Sequence, residues 1–434
     1  MPLPPAGSDP ASAPAASASV RRGWSIVAAL AVTETVSWGV LYYGFTVFLR
    51  PISAELGWSR GALSAAFSLA LLCQGAAAMA VGRWLDHHSP RPLMTIGSCA
   101  AVVGVLAWSQ VQQLWVFVAL WAGLGVVMAS VLYEPAFTVV TKWFLDGRRS
   151  ALTAITLVAG LASTIFLPLE NHLIEAYGWR RALVILAVVL AAITIPLHAL
   201  VLRPSPVHPL GAVRPARAKV ASVTAAAPVI VQASAVGSAL SRAPFWFLAG
   251  AFVASSFVTS ALALHQVALL VDEGHSAAFA ASATGALGAM QLPGRLLFAP
   301  LERLLSRRAV TVIVFAALAA GVGLLTTATT RGAIWCFVVL YGMGRGMSTL
   351  LRATLVADLF GATNYGTISG VLSAFTTVAT AAGPLFAGVI FDLTGDYEQM
   401  LRVLLVLAVV ATVSAAWVER SPRRHCTKAL RSPL

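Results

Sequence analysis

Five charged residues stand where a charge is costly. Glu34, Glu134, Arg295, Arg345 and Arg352 all fall within long apolar runs. A charge at a bilayer centre costs at least about 2.5–3.5 kcal/mol on insertion scales, so each one implies a task or a partner. A guanidinium stays charged when desolvated and offers two parallel donors to a planar carboxylate. A carboxyl in an apolar setting can exchange a proton near neutral pH, and a nearby guanidinium opposes that. An anion arriving on an arginine could therefore displace a glutamate, which then takes a proton. On this reading Glu34 and Glu134 are candidate proton carriers. The structural alternatives are a static Glu–Arg pair holding two helices together and, at Tyr133-Glu134-Pro135, a helix break near the membrane face. Tyr42, Tyr43, His265, Gln266, Gln74 and Gln291 are polar walls for a path or ordinary interhelix contacts.

The elements that must position these groups are twelve apolar stretches, two sets of six around one basic hydrophilic loop. They lie at 24–48, 61–82, 93–112, 115–139, 150–172 and 180–202, then at 244–270, 277–299, 309–328, 333–356, 367–390 and 399–418. A membrane-spanning helix needs about 20 apolar residues. A soluble chain of 434 residues could not carry 59% hydrophobic and 10% charged residues without exposing large apolar surfaces. The expected fold is all-α and integral to the membrane: a leader at 1–22, a six-helix bundle at 23–202, a linker at 203–243, a second bundle at 244–419 and a basic tail at 420–434.

The net charge of +13 invites a nucleic-acid reading, but its distribution argues otherwise. With both termini cytoplasmic, 22 of the 29 Lys and Arg residues fall on the inner side and six on the outer, with Arg345 left mid-span. That is the positive-inside rule, and the excess is an orientation signal aided by anionic lipid. Met1–Val20 is rich in Pro, Ala and Ser and lacks the charged and apolar regions of a signal peptide, so it reads as a disordered cytoplasmic leader. Cys73, Cys99, Cys336 and Cys426 have neither a disulfide pattern nor metal-ligand spacing, and His87 and His88 have no partner cluster. No cofactor is expected. No phosphate-binding loop or nucleophile–base pair is visible, which disfavours ATP-driven transport and enzymatic function.

Sliding the chain against itself by 216 residues brings Asp86 onto Glu302, Arg91 onto Arg307, Phe144 onto Phe360 and Pro168 onto Pro384. Matches in three separate places at one register indicate duplicated halves, a common construction for transporters with a site between them. In the first of these loops Gly82-Arg83-Trp84-Leu85-Asp86, followed by Arg91, resembles the Gly-x-x-x-Asp…Arg signature between helices 2 and 3 of the major facilitator superfamily. Ser89-Pro90 replaces the usual turn glycine and Pro92 a second basic residue. Gly82 suits close helix approach, and Asp86 can pair with Arg or sit at a helix N-terminus. Gly82, Asp86 and Arg91, with their repeats Glu302 and Arg307, are thus read as a cytoplasmic gate.

Three further segments resemble the bacterial monocarboxylate-transporter-like members and the oxalate:formate antiporters. They are Tyr42–Phe48 with Pro51 and Glu55-Leu56-Gly57-Trp58-Ser59-Arg60; Gly178-Trp179-Arg180-Arg181-Ala182; and Gly383-Pro384-Leu385-Phe386-Ala387-Gly388 with Asp392. The resemblance implies a multi-pass protein of the bacterial inner membrane that moves small organic anions, coupled to protons, and acts as a monomer. It implies a cavity lined by helices 1, 4, 7 and 10, which brings Glu34, Glu134, Arg345 and Arg352 towards one path. Leu292-Pro293-Gly294-Arg295 resembles the helix 8 segment where the family keeps an arginine for a carboxylate; the alternative is an arginine snorkelling to lipid phosphates. The oxalate:formate branch adds a helix 11 lysine, whereas residues 367–390 hold no Lys or Arg, leaving Arg345 to supply any second charge. Arg295, Arg345, Tyr42, Tyr43, His265 and Gln291 are the expected substrate contacts. Efflux of amphiphilic compounds and a non-transporting sensor on the same fold are the competing functions.

Overall fold

The structure is a computed structural model that describes residues 12–144, 148–202, 241–327, 330–360 and 365–418. Most of the expected linker and all of the basic tail lie outside the described residues, as do the side chains of Asp86, Arg148 and Arg149.

Among the described residues the chain is a succession of helices. In the first half, α1 runs Ser12–Ser37, passes a π-helical turn at Trp38–Tyr43 and continues as Gly44–Leu56. It is followed by α2 (Arg60–His87), α3 (Pro90–Gln110), α4 (Leu114–Val131, then Tyr133–Trp143), α5 (Arg148–Ala159, then Ala162–Tyr177) and α6 (Trp179–Pro196, with a π-helical end at Leu197–Val201). The second half holds α7 (Ala243–Asp272), α8 (Ala277–Leu304), α9 (Arg307–Thr327), α10 (Arg331–Phe360), α11 (Tyr365–Thr394) and α12 (Glu398–Val418). Helix α1 begins ahead of the expected leader boundary, at Ser12.

Eleven of these helices are long and apolar enough to cross a membrane. The remaining one, α8, has 28 residues and falls outside that set. Its first half is mostly Ala, Gly, Ser and Thr, with Phe279, Leu287 and Met290 among them, and its second half carries Arg295, Glu302 and Arg303. Such a composition suits a helix gripped by neighbours, because small residues let backbones approach where lipid supplies no hydrophobic drive between helices.

One compact unit takes in the described residues of Met1–Gly44 and Cys73–Arg217, the other those of Phe45–Leu72 and Ala218–Leu434. Both use the same pairings. Helix α1 packs on α5 and α6 as α7 packs on α11 and α12, and α3 packs on α4 and α6 as α9 packs on α10 and α12. The crossing points repeat too. In the first unit Gly39 abuts the ring of Phe166. The 216-residue shift sets Gly39 and Phe166 on Ser255 and Ala382, and the same helix pair in the second unit closes one residue further on, where Gly383 abuts the Phe257 carbonyl and Ser260.

Two helices of the first half are interrupted for local reasons. Helix α4 breaks at Leu132, whose backbone is extended (φ −92°, ψ −162°). Pro135 then sits in the first turn of the next segment, where a missing N–H leaves no intrahelical bond unmade. The break anticipated at Tyr133-Glu134-Pro135 therefore exists. In α1 the extra residue of the π-helical turn has no proline to explain it, and such turns are frequent at functional sites.

Candidate functional site

Within the first unit the π-helical turn of α1 and the break in α4 bring together four polar aromatics and a carboxyl. Trp38 Nε1 donates to Glu34 Oε2 at 3.1 Å across one turn. The Trp38 ring lies 4.9 Å from that of Tyr42, 6.2 Å from Tyr43 and 5.0 Å from Tyr133. All four rings are partly exposed, whereas Glu34 is fully buried. Its second oxygen has no hydrogen-bond partner among the described residues. A buried carboxylate without partners is expensive, so this group has a reason to bind a proton or a ligand. Tyr42 and Tyr43 thus pack with the Trp38 that holds Glu34, while Glu134, next to Tyr133, has an exposed side chain.

In the second unit α8 and α10 cross at very short range. A Cβ placed on Gly294 would lie 2.8 Å from Met343 Cα, and one on Gly346 would lie 2.8 Å from Gln291 Cα. Only glycine permits this approach. Arg295 and Arg345 are the neighbours in sequence of these glycines, and both are partly exposed. Gln291 is buried at the same crossing. One turn before Arg345, the Tyr341 hydroxyl lies 3.2 Å from Thr259 Oγ1 on α7. Arg352 Nη2 donates to Ser373 Oγ on α11 at 2.8 Å.

His265 belongs to a different cluster, at the end of the helices opposite the basic loops. Arg60 forks onto Asp272, with Nη1–Oδ2 at 2.5 Å and Nη2–Oδ1 at 3.3 Å, and Arg50 Nε lies 3.5 Å from Asp272 Oδ1. Arg60 Nη1 also donates to the Tyr397 hydroxyl at 2.9 Å, and its guanidinium sits 3.8 Å over the Phe391 ring. The partners assign the histidine tautomer. The Tyr397 hydroxyl donates to His265 Nδ1 at 2.9 Å. His265 Nε2 donates to the Pro384 carbonyl at 3.1 Å and lies 2.9 Å from Ser64 Oγ, which itself donates to the Arg60 carbonyl. Asp392 Oδ2 accepts from the Gly61 amide at 2.9 Å, capping the start of α2. Burial pushes the Tyr397 phenol up from its ordinary value, with Arg60 opposing the shift. Sequence reasoning assigned Arg60 to an outer loop and His265 to the substrate path; the structure joins both in one hydrogen-bonded network.

The expected gate is only partly visible. Asp86 has its side chain outside the described residues; Arg91 and Glu302 are exposed and Arg307 is partly buried. Among the described residues nothing lies within 4 Å of a Cβ built on Gly82. Lys142 of α4 donates to the Leu85 carbonyl in the last turn of α2, where a cation complements the helix dipole. Sequence reading also missed Glu170 of α5, a fully buried carboxyl whose signal was its place inside the apolar run 150–172.

Residues 27–375 and 274–432 match the family described as Major Facilitator Superfamily. The chain belongs to that superfamily, and so to a class of membrane transporters. It is 24% identical over 404 residues to Monocarboxylate transporter 2 of Mus musculus, spanning 87% of this chain and 80% of that protein. It is 28% identical over 138 residues to the oxalate:formate antiporter of Oxalobacter formigenes, spanning 31% and 32%. Its fold matches an inward-facing, unoccupied bacterial homologue of the human lysosomal transporter Spinster, with TM-score 0.70 and 16% identity over 95% of this chain and 98% of that one.

Proposed function

We propose that this transporter moves a small, monocarboxylate-like organic anion together with protons, by alternating access. Glu34 carries the coupling half of the reading: it is fully buried, one oxygen is held by Trp38, and the other has no hydrogen-bond partner among the described residues. Such a carboxyl can take and release a proton as its surroundings change. Arg295 and Arg345, beside the α8–α10 crossing, supply guanidinium groups on a rigid pair of helices for the anion. The relatives named as carriers of monocarboxylates and of oxalate and formate support the same class. Asp86, Arg91, Glu302 and Arg307 act on the conformational cycle, both termini are cytoplasmic in a bacterial inner membrane, and the protein works as a monomer.

The test is uptake of labelled short-chain monocarboxylates into liposomes reconstituted with purified protein, with an inward proton gradient and without one. Gradient-driven accumulation that Glu34→Gln uncouples is the expected result. Flux of organic cations in place of anions would sink it and favour a second reading, efflux of amphiphilic compounds. The observation behind that second reading is the cluster of Trp38, Tyr42, Tyr43 and Tyr133, whose faces suit a flat or cationic body.

A further inference from the structure

Glu170 has no structural explanation in its own unit. It is fully buried in α5, and neither carboxyl oxygen has a hydrogen-bond partner among the described residues. It lies seven residues before the helix ends at Tyr177, about 10 Å along the axis. Its carboxyl rests against the end of the π-helical turn: a Cβ built on Gly44 would lie 2.8 Å from Glu170 Oε1 and 3.4 Å from Oε2. The charged and titratable groups of the elements around it are accounted for elsewhere. From α1 come Glu34, Tyr42 and Tyr43, which belong to the Trp38 cluster. From α6 come Arg181, which is exposed, Arg180, which donates to the Ser109 and Val111 carbonyls and covers the Trp179 ring, and, at the other end of the helix, His198, whose Nδ1 lies 2.7 Å from Ser98 Oγ. On α5 itself His172 and Tyr177 are exposed, and Glu175 accepts from Asn171 at 2.8 Å.

The internal repeat shows what packing alone would place here. The 216-residue register sets Pro168-Leu169-Glu170 over Pro384-Leu385-Phe386. In the second unit Phe386 fills that position by packing on Phe257, with ring centroids 5.3 Å apart. An apolar ring therefore satisfies this crossing, and the first unit carries a carboxyl instead.

We propose that Glu170 is a second proton-binding site, separate from Glu34, whose charge state is read by the π-helical turn of α1. With a proton on the carboxyl, the group is neutral and Gly44 can lie against it. When the proton leaves, the bare carboxylate needs donors that its present neighbours do not provide, so water or backbone N–H groups must move in. The nearest backbone able to yield is the turn Trp38–Tyr43, which also carries the aromatic cluster beside Glu34. This deepens the proton coupling proposed above, yet its test needs no transported solute.

The experiment is infrared difference spectroscopy on purified protein in lipid, between about pH 5 and pH 8, reading the carbonyl stretch of protonated carboxyl groups. Wild type should show two buried-carboxyl bands: Glu170→Gln should remove one and Glu34→Gln the other. Glu170→Phe, which copies the second unit, keeps the crossing packed and should lose the same band as Glu170→Gln. Tryptophan fluorescence should report the turn, its pH-dependent change falling to about half or less of wild type in both Glu170 variants. An unchanged carboxyl spectrum in folded Glu170→Gln and Glu170→Phe would overturn the proposal while leaving that for Glu34 standing. Loss of the Glu170 band with no fluorescence change would overturn the link to the turn.

Discussion

Two polar clusters among the described residues follow opposite rules. Around His265 the polar side chains are joined in series: Arg60 serves Asp272 and Tyr397, Tyr397 serves His265, and His265 serves Pro384. Beside the π-helical turn Glu34, held by Trp38, and Glu170, lying against Gly44, are buried with three of their four oxygens unpartnered among the described residues. Satisfied polar networks rigidify a structure, whereas unsatisfied ones store free energy that a proton or ligand can release. The first arrangement ties α2, α7 and α11 together, and the second leaves buried carboxyl oxygens open to the proton binding proposed above.

The sharpest way to break that contrast is to delete Arg60. Arg60→Gln leaves Asp272 without its fork, Tyr397 without its donor and the Phe391 face uncovered. Each side chain retains some solvent contact, so the cost falls below that of a fully buried pair, at about 2–3 kcal/mol. Thermal unfolding of purified protein measures it, and a midpoint equal to wild type would remove the holding role. Nearly as large is the expected effect on ligand binding. Arg295→Gln and Arg345→Gln should each lose one charge-assisted contact worth about 1.5–3 kcal/mol, or roughly ten- to a hundred-fold in affinity. Arg295→Lys should fall between, keeping charge without the fork. Wild-type affinity for the anion in both Gln variants leaves amphiphile efflux as the better reading.

Smaller effects sharpen the other side. Asp86→Asn should slow transport while equilibrium binding stays within a few-fold, because a gate residue shifts populations without touching substrate. A large loss of binding with normal populations would reject the gate. Smallest in stability is Glu34→Gln, expected within about 1 kcal/mol of wild type because the carboxyl has few bonds to lose. Its effect should appear in the pH dependence of transport, which flattens. A large drop in unfolding temperature with an unchanged pH profile would move Glu34 into the holding class.

The helical architecture was legible from composition and hydropathy because a bilayer leaves the backbone few choices: spanning segments must satisfy their own hydrogen bonds. The duplication was legible because Pro168 and Pro384, like Asp86 and Glu302, mark matching places at one offset. Glu34 was legible because a charge inside an apolar run is conspicuous by itself. Glu170 is equally inside one, at fifth-helix position Pro168-Leu169-Glu170, and weighing every intramembrane carboxyl would have found it.

Other features were decided by tertiary structure alone. The sequence displays Gly57-Trp58-Ser59-Arg60 and Gly383–Asp392 as separate recognisable segments, yet nothing in either says that Asp392 caps α2 or that Gly388 lies against the Arg60 carbonyl. Hydropathy reports how apolar a helix is but not which polar atoms meet across helices, since those pairings depend on register and rotation between segments hundreds of residues apart. That is why a histidine near a helix end could be read as part of a substrate path. Once Tyr397, Ser64 and Pro384 close around His265, its polar atoms are already engaged. Around Glu34 and Glu170 the same kind of packing leaves oxygens without partners.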